Sequence, residues 1–361
     1  MGDAMNRSTV SSKRGQCLPR VGLAAIIIVL VAAGGVLLTT SCRKTGTSGA
    51  TKVRFRLQWT PQAQFAGYLV AKELGYYAQE GLDVEIRPAG PDLKPQNTVA
   101  VGSDDIAVGV SNLIVASRSS DVPLKIIAQL FQDSANRYVL KRENAIQSLK
   151  DLRGKKVGLW MGGDEAEFVA MLKSAGMTLD DVIVVPQGFS IAPFLNGEYV
   201  LSMVTVYNEL IQIRDQGYTG DKLQVISPSE YNAAIVGDAL FTSEKYLQQN
   251  HAAAQKFLAA SLKGWKYCAE NPDKAVDIVL KFDKALKRDE QVKQLQAVMS
   301  LPLDGQAKTK GIGYMEPSFY ATADRVLFDS RQISKHVDPA TVFDASLWQQ
   351  VPEAEKLPGG K

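Results

Sequence analysis

Apolar and polar residues alternate strictly from Val53 to Trp59: Val53, Phe55, Leu57 and Trp59, with Arg54, Arg56 and Gln58 between them. A period of two is that of a strand with one buried face. Pro61 interrupts the run. From Gln62 to Leu74 the apolar positions recur at helical spacing, with Phe65, Leu69, Val70 and Leu74 toward one face. Gly75 stands where a helix stop belongs, and Asp83 to Arg87 supplies the next strand. Strand, helix and strand in this order predict a parallel βαβ unit. Ligands in such sheets sit beyond the carboxyl ends of the strands, so Trp59 and the Trp-Thr-Pro-Gln turn point at a site.

The same reading continues down the chain. Gln96 to Val101 is a short helix ended by Gly102, and Ile106 to Val110 is an apolar strand. Ser111 and Asn112 stand where they would cap a helix to about Ser117. That junction reads either as a place for carbonyl or anionic groups or as an ordinary connection. Leu124 to Leu130 is a buried strand, and Asn136 to Lys141 an extended crossing segment. A second unit opens with strand Lys155 to Trp160, the turn Met161-Gly162-Gly163-Asp164-Glu165 and a helix from Ala166 to Ala175. Strands follow at Val182 to Val185 and Val200 to Val206, the latter leading into Tyr207-Asn208-Glu209 and a helix through Arg214. Leu223 to Ile226 and Ala234 to Phe241 return the chain. From Ser243 the pattern is helical, with segments at 244–249, 252–271, 272–280, 289–299, 317–329 and 339–343. No internal repeat stands out, but two α/β units flank a crossing. This predicts an α/β protein of two lobes with a cleft: residues 52–140 plus 240–345 form one lobe, 141–239 the other, and 346–361 a surface tail.

The amino end differs from the body. Val21 to Leu38 is apolar without a charge and follows Lys13, Arg14 and Arg20, the pattern of an export signal or of a membrane anchor near minimum length. Residues 1–41 hold four basic residues against Asp3. Since the chain has 41 basic and 38 acidic residues, the remainder holds 37 of each and is neutral. A neutral body has no electrostatic footprint for nucleic acid. Two histidines, His251 and His336, and three scattered cysteines, Cys17, Cys42 and Cys268, are too few soft ligands for a zinc or iron–sulfur site. Cys268 reads as a lone thiol in an apolar setting. No GK[ST] follows the Gly162-Gly163 turn, and no GxGxxG occurs. No Ser/His/Asp or Cys/His set forms, and Glu165 with Glu209 is the one carboxylate pair that hydrolysis could draw on.

Each candidate site residue has a plainer reading beside it. Trp59 would stack on a flat ring or belong to the core, and Phe65 reads more readily as core. Glu209, beside Asn208 and Tyr207 at a strand end, would read the edge of a heterocycle or simply occupy a helix first turn. Asp164 and Glu165 divide in the same way, and the glycines of their turn would let backbone N–H groups approach a ligand.

Several runs together carry a resemblance. LQWTPQAQFAGYLVAKELGYYAQEGLDVEI, DLRGKKVGLWMGG with DE and EF after it, VVPQGF, VTVYNEL and FLAASLKGWKYCAENPDKAV resemble the thiamine-pyrimidine-synthase-like branch of the periplasmic substrate-binding proteins of ABC importers, across about residues 52–345. The QAQFAGY, GPD, WxGGxE and YNE pieces look closest to its RibY-like, riboflavin-binding subgroup. The resemblance implies a type II periplasmic-binding fold, two Rossmann-like lobes joined by a hinge, with no cofactor. It implies a monomer that delivers a flat heterocycle, riboflavin or a thiamine pyrimidine precursor, to an ABC permease and its ATPase. It would put Trp59 on the ring, Gln62 and Phe65 beside it, Asn112 and Gly162, Gly163, Asp164 and Glu165 along the cleft, and Tyr207, Asn208 and Glu209 on the ring edge. Leu37 to Cys42 resembles a bacterial lipoprotein signal in which Cys42 is lipidated, with Thr39 where leucine is usual and residues 42–51 as a linker. Asp104-Asp105, where relatives often carry one acid, and Thr205-Val206, where they often carry Ala-Met, depart from the pattern. The fungal pyrimidine synthase of this family uses a CCCFC run and an active-site histidine, which this chain lacks, so enzymatic activity on the same fold is the alternative rather than the expectation.

Overall fold

A computed structural model describes residues 49–90 and 92–359. The signal-like segment 1–41 and the candidate lipidation site Cys42 lie outside the described residues. Among the described residues no helix is long and apolar enough to cross a membrane.

Ten strands form two five-stranded sheets. The first contains β1 (Thr51–Arg56), β2 (Leu82–Arg87), β3 (Ile106–Val110), β4 (Leu124–Gln129) and, from late in the chain, β10 (Asp238–Ser243). Its order is β2-β1-β3-β10-β4. The second contains β5 (Asn136–Lys141), β6 (Lys156–Leu159), β7 (Ile183–Pro186), β8 (Leu201–Thr205) and β9 (Leu223–Ile226), in the order β7-β6-β8-β5-β9. The two sheets share one plan. In each, the first strand of its βα series lies between the second and the third, and one antiparallel strand separates the third from the fourth. The antiparallel strands are exchanged in chain order: β5 is first in its sheet and β10 last in its own. The chain therefore crosses between sheets twice, at residues 130–135 and 227–237.

The predicted βαβ unit is present. Val53 and Phe55 are fully buried, and β1 pairs in parallel with β2, Val53 opposite Val84. β1 ends earlier than its alternation suggests. Pro61 and Pro88 offer no N–H for the ladder, so Trp59 lies past the strand in an irregular turn rather than on a strand face. The following helix opens as a 3-10 turn at Ala63–Phe65 and becomes α-helical over Ala66–Glu73, and Gly75 takes the left-handed conformation that stops it (φ 73°). This helix lies against the long helix Glu244–Glu270 so closely that a Cβ on Gly264 would sit 2.0 Å from the Gly67 carbonyl oxygen. The predicted break between 249 and 252 is a kink at Asn250 (φ −135°, ψ 34°) inside that helix.

Three expectations are corrected. Asn136–Lys141 was assigned to the first lobe by a boundary at 140, but β5 pairs with β8 and β9 of the second sheet. Residues 346–361 are not a surface tail. Helices Ser346–Gln350 and Glu353–Lys356 form there, and Leu347 in the first and Val351 just after it are buried. Ser111 and Asn112 open the helix Ser111–Ser119 without capping it. The Ser111 hydroxyl donates to the Val236 carbonyl (2.5 Å), and the Asn112 amide donates to the Gly163 carbonyl (2.9 Å). Cys268 is fully buried on the long helix, and burial raises its thiol pKa.

Candidate functional site

A cavity of about 460 Å³ lies at the carboxyl ends of β1, β3, β6, β7 and β8 and is floored by the two crossing segments. That volume is ordinary for a small-molecule site, roughly 300–1,000 Å³. Both sheets contribute because their parallel strands exit into the same space.

The aromatic wall comes from both sheets. The half-buried Trp59 after β1 meets Phe189 after β7 with ring centroids 4.7 Å apart and planes tilted by 54°. Trp160, directly after β6, lies on the same cavity and donates its indole N–H to the Gly188 carbonyl (3.3 Å). Tyr207, after β8, packs edge-on to Phe131 of the first crossing at 5.9 Å. Phe189 is 54 % exposed, while Tyr207 is buried. Flat aromatic faces of this kind present stacking surface to a planar ligand.

The polar lining is made of amides and acids. Among the described residues eight side-chain amides and four carboxylates line the cavity, with Lys94 as the one basic residue. Two of the carboxylates are structural. Asp238, at the start of β10, accepts from the Gln58 amide (2.7 Å) and the Gln64 amide (2.8 Å). Burial outweighs those donors and raises it to about 6. Glu167, in the helix Ala166–Ser174, accepts from the Ser134 hydroxyl (3.0 Å), the Asn136 amide (2.9 Å) and the Ile235 N–H (2.7 Å). It thereby ties both crossing segments to one helix, and burial raises it to about 7 against the pull of those donors.

The other two carboxylates were singled out by sequence. Glu209 accepts from Thr205 N–H (3.0 Å) and Thr205 hydroxyl (2.8 Å) on one oxygen and from the Asn208 amide (2.7 Å) on the other. Its helix is Glu209–Asp215, so it holds its own first turn while facing the cavity. Thr205, one of the departures from the family pattern, supplies the hydroxyl for this. Asp164 differs. Burial raises it to about 6, the Lys94 ammonium opposes that, and Glu165 adds to it, with no hydrogen bond to the protein among the causes. The Lys94 ammonium donates to the Gly162 carbonyl (2.9 Å).

Seven of the expected residues reach the cavity: Trp59, Gln62, Asn112, Asp164, Tyr207, Asn208 and Glu209. Four do not line it. Phe65 is fully buried in the core behind β1, where its helical spacing puts it. Gly162 and Gly163 form the turn instead, at φ 97° and 118°, and their carbonyls receive Lys94 and Asn112 from the first lobe. Glu165 accepts from the Gly163 N–H (2.9 Å), bracing that turn from behind. The Asp104-Asp105 departure lies at the opposite end of β3. Asp104 pairs with Arg56 (2.8 Å) and Arg87 (3.2 Å), and Asp105 with Arg54 (2.5 Å). Sequence reasoning missed Trp160, Phe189, Glu167 and Asp238. Two of them carried a signal: Trp160 follows β6 in the second lobe as Trp59 follows β1 in the first, and Asp238 is an acid opening an apolar run. Among the described residues no group of three or more His, Cys, Asp or Glu could hold a metal ion.

Residues 62–275 match the family described as NMT1/THI5 like. The chain belongs to the NMT1/THI5-like family. Among curated members, the riboflavin-binding protein RibY of Chloroflexus aurantiacus is 27% identical over 81% of this chain and 84% of that protein. The formylaminopyrimidine-binding protein of Halalkalibacterium halodurans is 28% identical over 71% of this chain and 78% of that protein. Among solved structures, the periplasmic aliphatic sulphonate binding protein SsuA of Escherichia coli superposes with a TM-score of 0.61 at 15% identity, covering 86% of this chain and 94% of that one. This last likeness establishes the two-lobed periplasmic-binding fold and nothing about the ligand.

Proposed function

We propose that this chain is the extracytoplasmic solute-binding component of an ABC importer and that its cleft takes a flat heterocyclic vitamin or precursor, riboflavin or a thiamine pyrimidine precursor. The observation that carries the reading is the cavity itself. It opens where the parallel strands of both sheets end, and it combines the facing rings Trp59 and Phe189 with amides held in place by buried acids. The family relatives named riboflavin-binding and formylaminopyrimidine-binding support the ligand class. Trp59 stacks on the ring, while Tyr207 and Asn208 meet its edge. Closure of the lobes on the ligand is the state a permease would read. The protein acts as a monomer, exported and held to the outer face of the cytoplasmic membrane by lipid on Cys42.

An enzyme on this fold, of the pyrimidine-synthase type, is less well supported, because among the described residues neither cysteine nor histidine lines the cavity. The deciding experiment is titration of the purified protein with riboflavin and with formylaminopyrimidine, following flavin and tryptophan fluorescence. Saturable binding of either compound, recovered unchanged, is expected. Absence of binding by both, or conversion of either to product, would overturn the reading. Incorporation of labelled fatty acid that is lost in Cys42→Ser is the expected outcome for the anchor.

A further inference from the structure

The hydrogen-bonding character of the cavity follows from which side-chain ends are already spent. Gln58 gives its amide N–H to Asp238, and Asn136 gives its own to Glu167. A carboxylate accepts and an amide nitrogen donates, so the two buried acids fix which way these amides face. Gln58 and Asn136 therefore each keep a carbonyl oxygen and one further amide N–H beside the acids. Asp164 adds two carboxylate oxygens with no hydrogen bond from the protein. On the donor side, Lys94, Asn112 and Asn208 each place one N–H on the protein, at the Gly162 carbonyl, the Gly163 carbonyl and Glu209. Among the described residues no arginine lines the cavity. Among the described residues the cleft sets four carboxylates against one ammonium and is net acidic.

We propose that this cleft selects a neutral or cationic ligand and that Asp164 is the side chain that excludes phosphorylated and other anionic forms of the same heterocycle. The inference rests on the heterocycle reading above and narrows it to the unphosphorylated compound. Among the described residues an anion here would meet Asp164, Glu209, Asp238 and Glu167 with Lys94 as the one opposing charge. Such a pairing is a repulsive element of specificity, stronger in a desolvated cleft than in water. The groups facing Asp164 are Lys94 from the loop before the helix Pro95–Ala100, Glu165 from its own turn, and the neutral phenols Tyr207 and Tyr138.

The test compares each alcohol with its phosphate ester. Riboflavin and riboflavin 5′-phosphate, and the aminopyrimidine alcohol with its phosphate, are titrated by calorimetry at pH 7.5 into the native protein and into Asp164→Asn, with methanesulfonate and nitrate as further anions. The native protein is expected to prefer the alcohol by about thirtyfold or more. Asp164→Asn is expected to improve ester affinity by about tenfold without improving the alcohol, a gain that general damage to the fold would not produce. Equal affinity for alcohol and ester, tight binding of methanesulfonate or nitrate, or an Asp164→Asn ratio equal to the native one would each overturn the proposal. If no heterocycle binds in either form, the proposed function fails on its own. The charge rule is then decided by the sulfonate and nitrate arms, where binding overturns it and its absence supports it.

Discussion

The turn after β1 and the turn after β6 occupy the same place in two sheets of one plan, and they are built in opposite ways. The first runs from Gln58 through Trp59 into a 3-10 turn and is locked from below: Gln58 and Gln64 hold Asp238, and the Ala63 N–H donates to Gln291 (2.7 Å). The helix it leads into is pressed on the long helix at Gly67 and Gly264. The second runs from Trp160 through two glycines of positive φ, and its ties to the first lobe are single hydrogen bonds from Lys94 and Asn112. A firmly packed aromatic platform therefore faces a turn whose hydrogen bonds to the first lobe are two. Hinge-type closure asks for this division, since one wall must present the ring surface and the other must move onto it.

The largest expected effect probes the fixed side. Gly264→Ala places a methyl 2.0 Å from the Gly67 carbonyl oxygen and is expected to cost about 3 kcal/mol of stability in urea unfolding. Gly163→Ala, on the movable side, is expected to cost only about 1 kcal/mol. Its φ of 118° and a Cβ 2.7 Å from Leu113 should instead weaken ligand binding about tenfold. Equal stability losses at the two glycines would erase the contrast. Trp59→Ala should lower affinity for the heterocycle by roughly 2 kcal/mol, about thirtyfold, with Tm nearly unchanged. An unchanged dissociation constant would remove the ring from that wall.

Glu167 joins the second lobe to both crossings. Its folded pKa, about 7, lies above the ordinary value of 4.5, so between those values the folded state holds a proton that the unfolded state has lost. Its contribution to stability is accordingly present below about pH 4.5 and is lost as pH rises through 7, an effect of order 1–2 kcal/mol. Glu167→Gln should flatten that slope in urea unfolding measured from pH 5 to 8. A slope unaltered by the substitution would clear Glu167 of this role. The smallest effect is reserved for Lys293, whose ammonium reaches Asp215 of the second lobe at 2.7 Å with both side chains about half exposed. Lys293→Ala should change stability by less than about 0.5 kcal/mol.

Much of this was readable in the chain itself, and the reasons are local. The alternation of Val53, Phe55 and Leu57 and the helical spacing up to Leu74 follow from burying one face of each element. The stops at Gly75, Gly102 and Gly176 follow from glycine's tolerance of positive φ, here 73°, 75° and 71°. Trp59, Tyr207 and Asn208 were found because aromatic and polar residues stood at strand ends. What local pattern misjudged is equally specific. Phe65 lies one helical face away from the cavity, and Glu165 turns back to brace Gly163. The acids that orient the cleft, Glu167 and Asp238, act on residues 31 and 180 positions away in the chain. Their roles exist only once two crossings bring β5 and β10 into each other's sheets, a pairing of strands distant in sequence. Periodicity reports which face of an element is buried. The partner across that face, and therefore which amide oxygens are left for a ligand, is settled by tertiary packing alone.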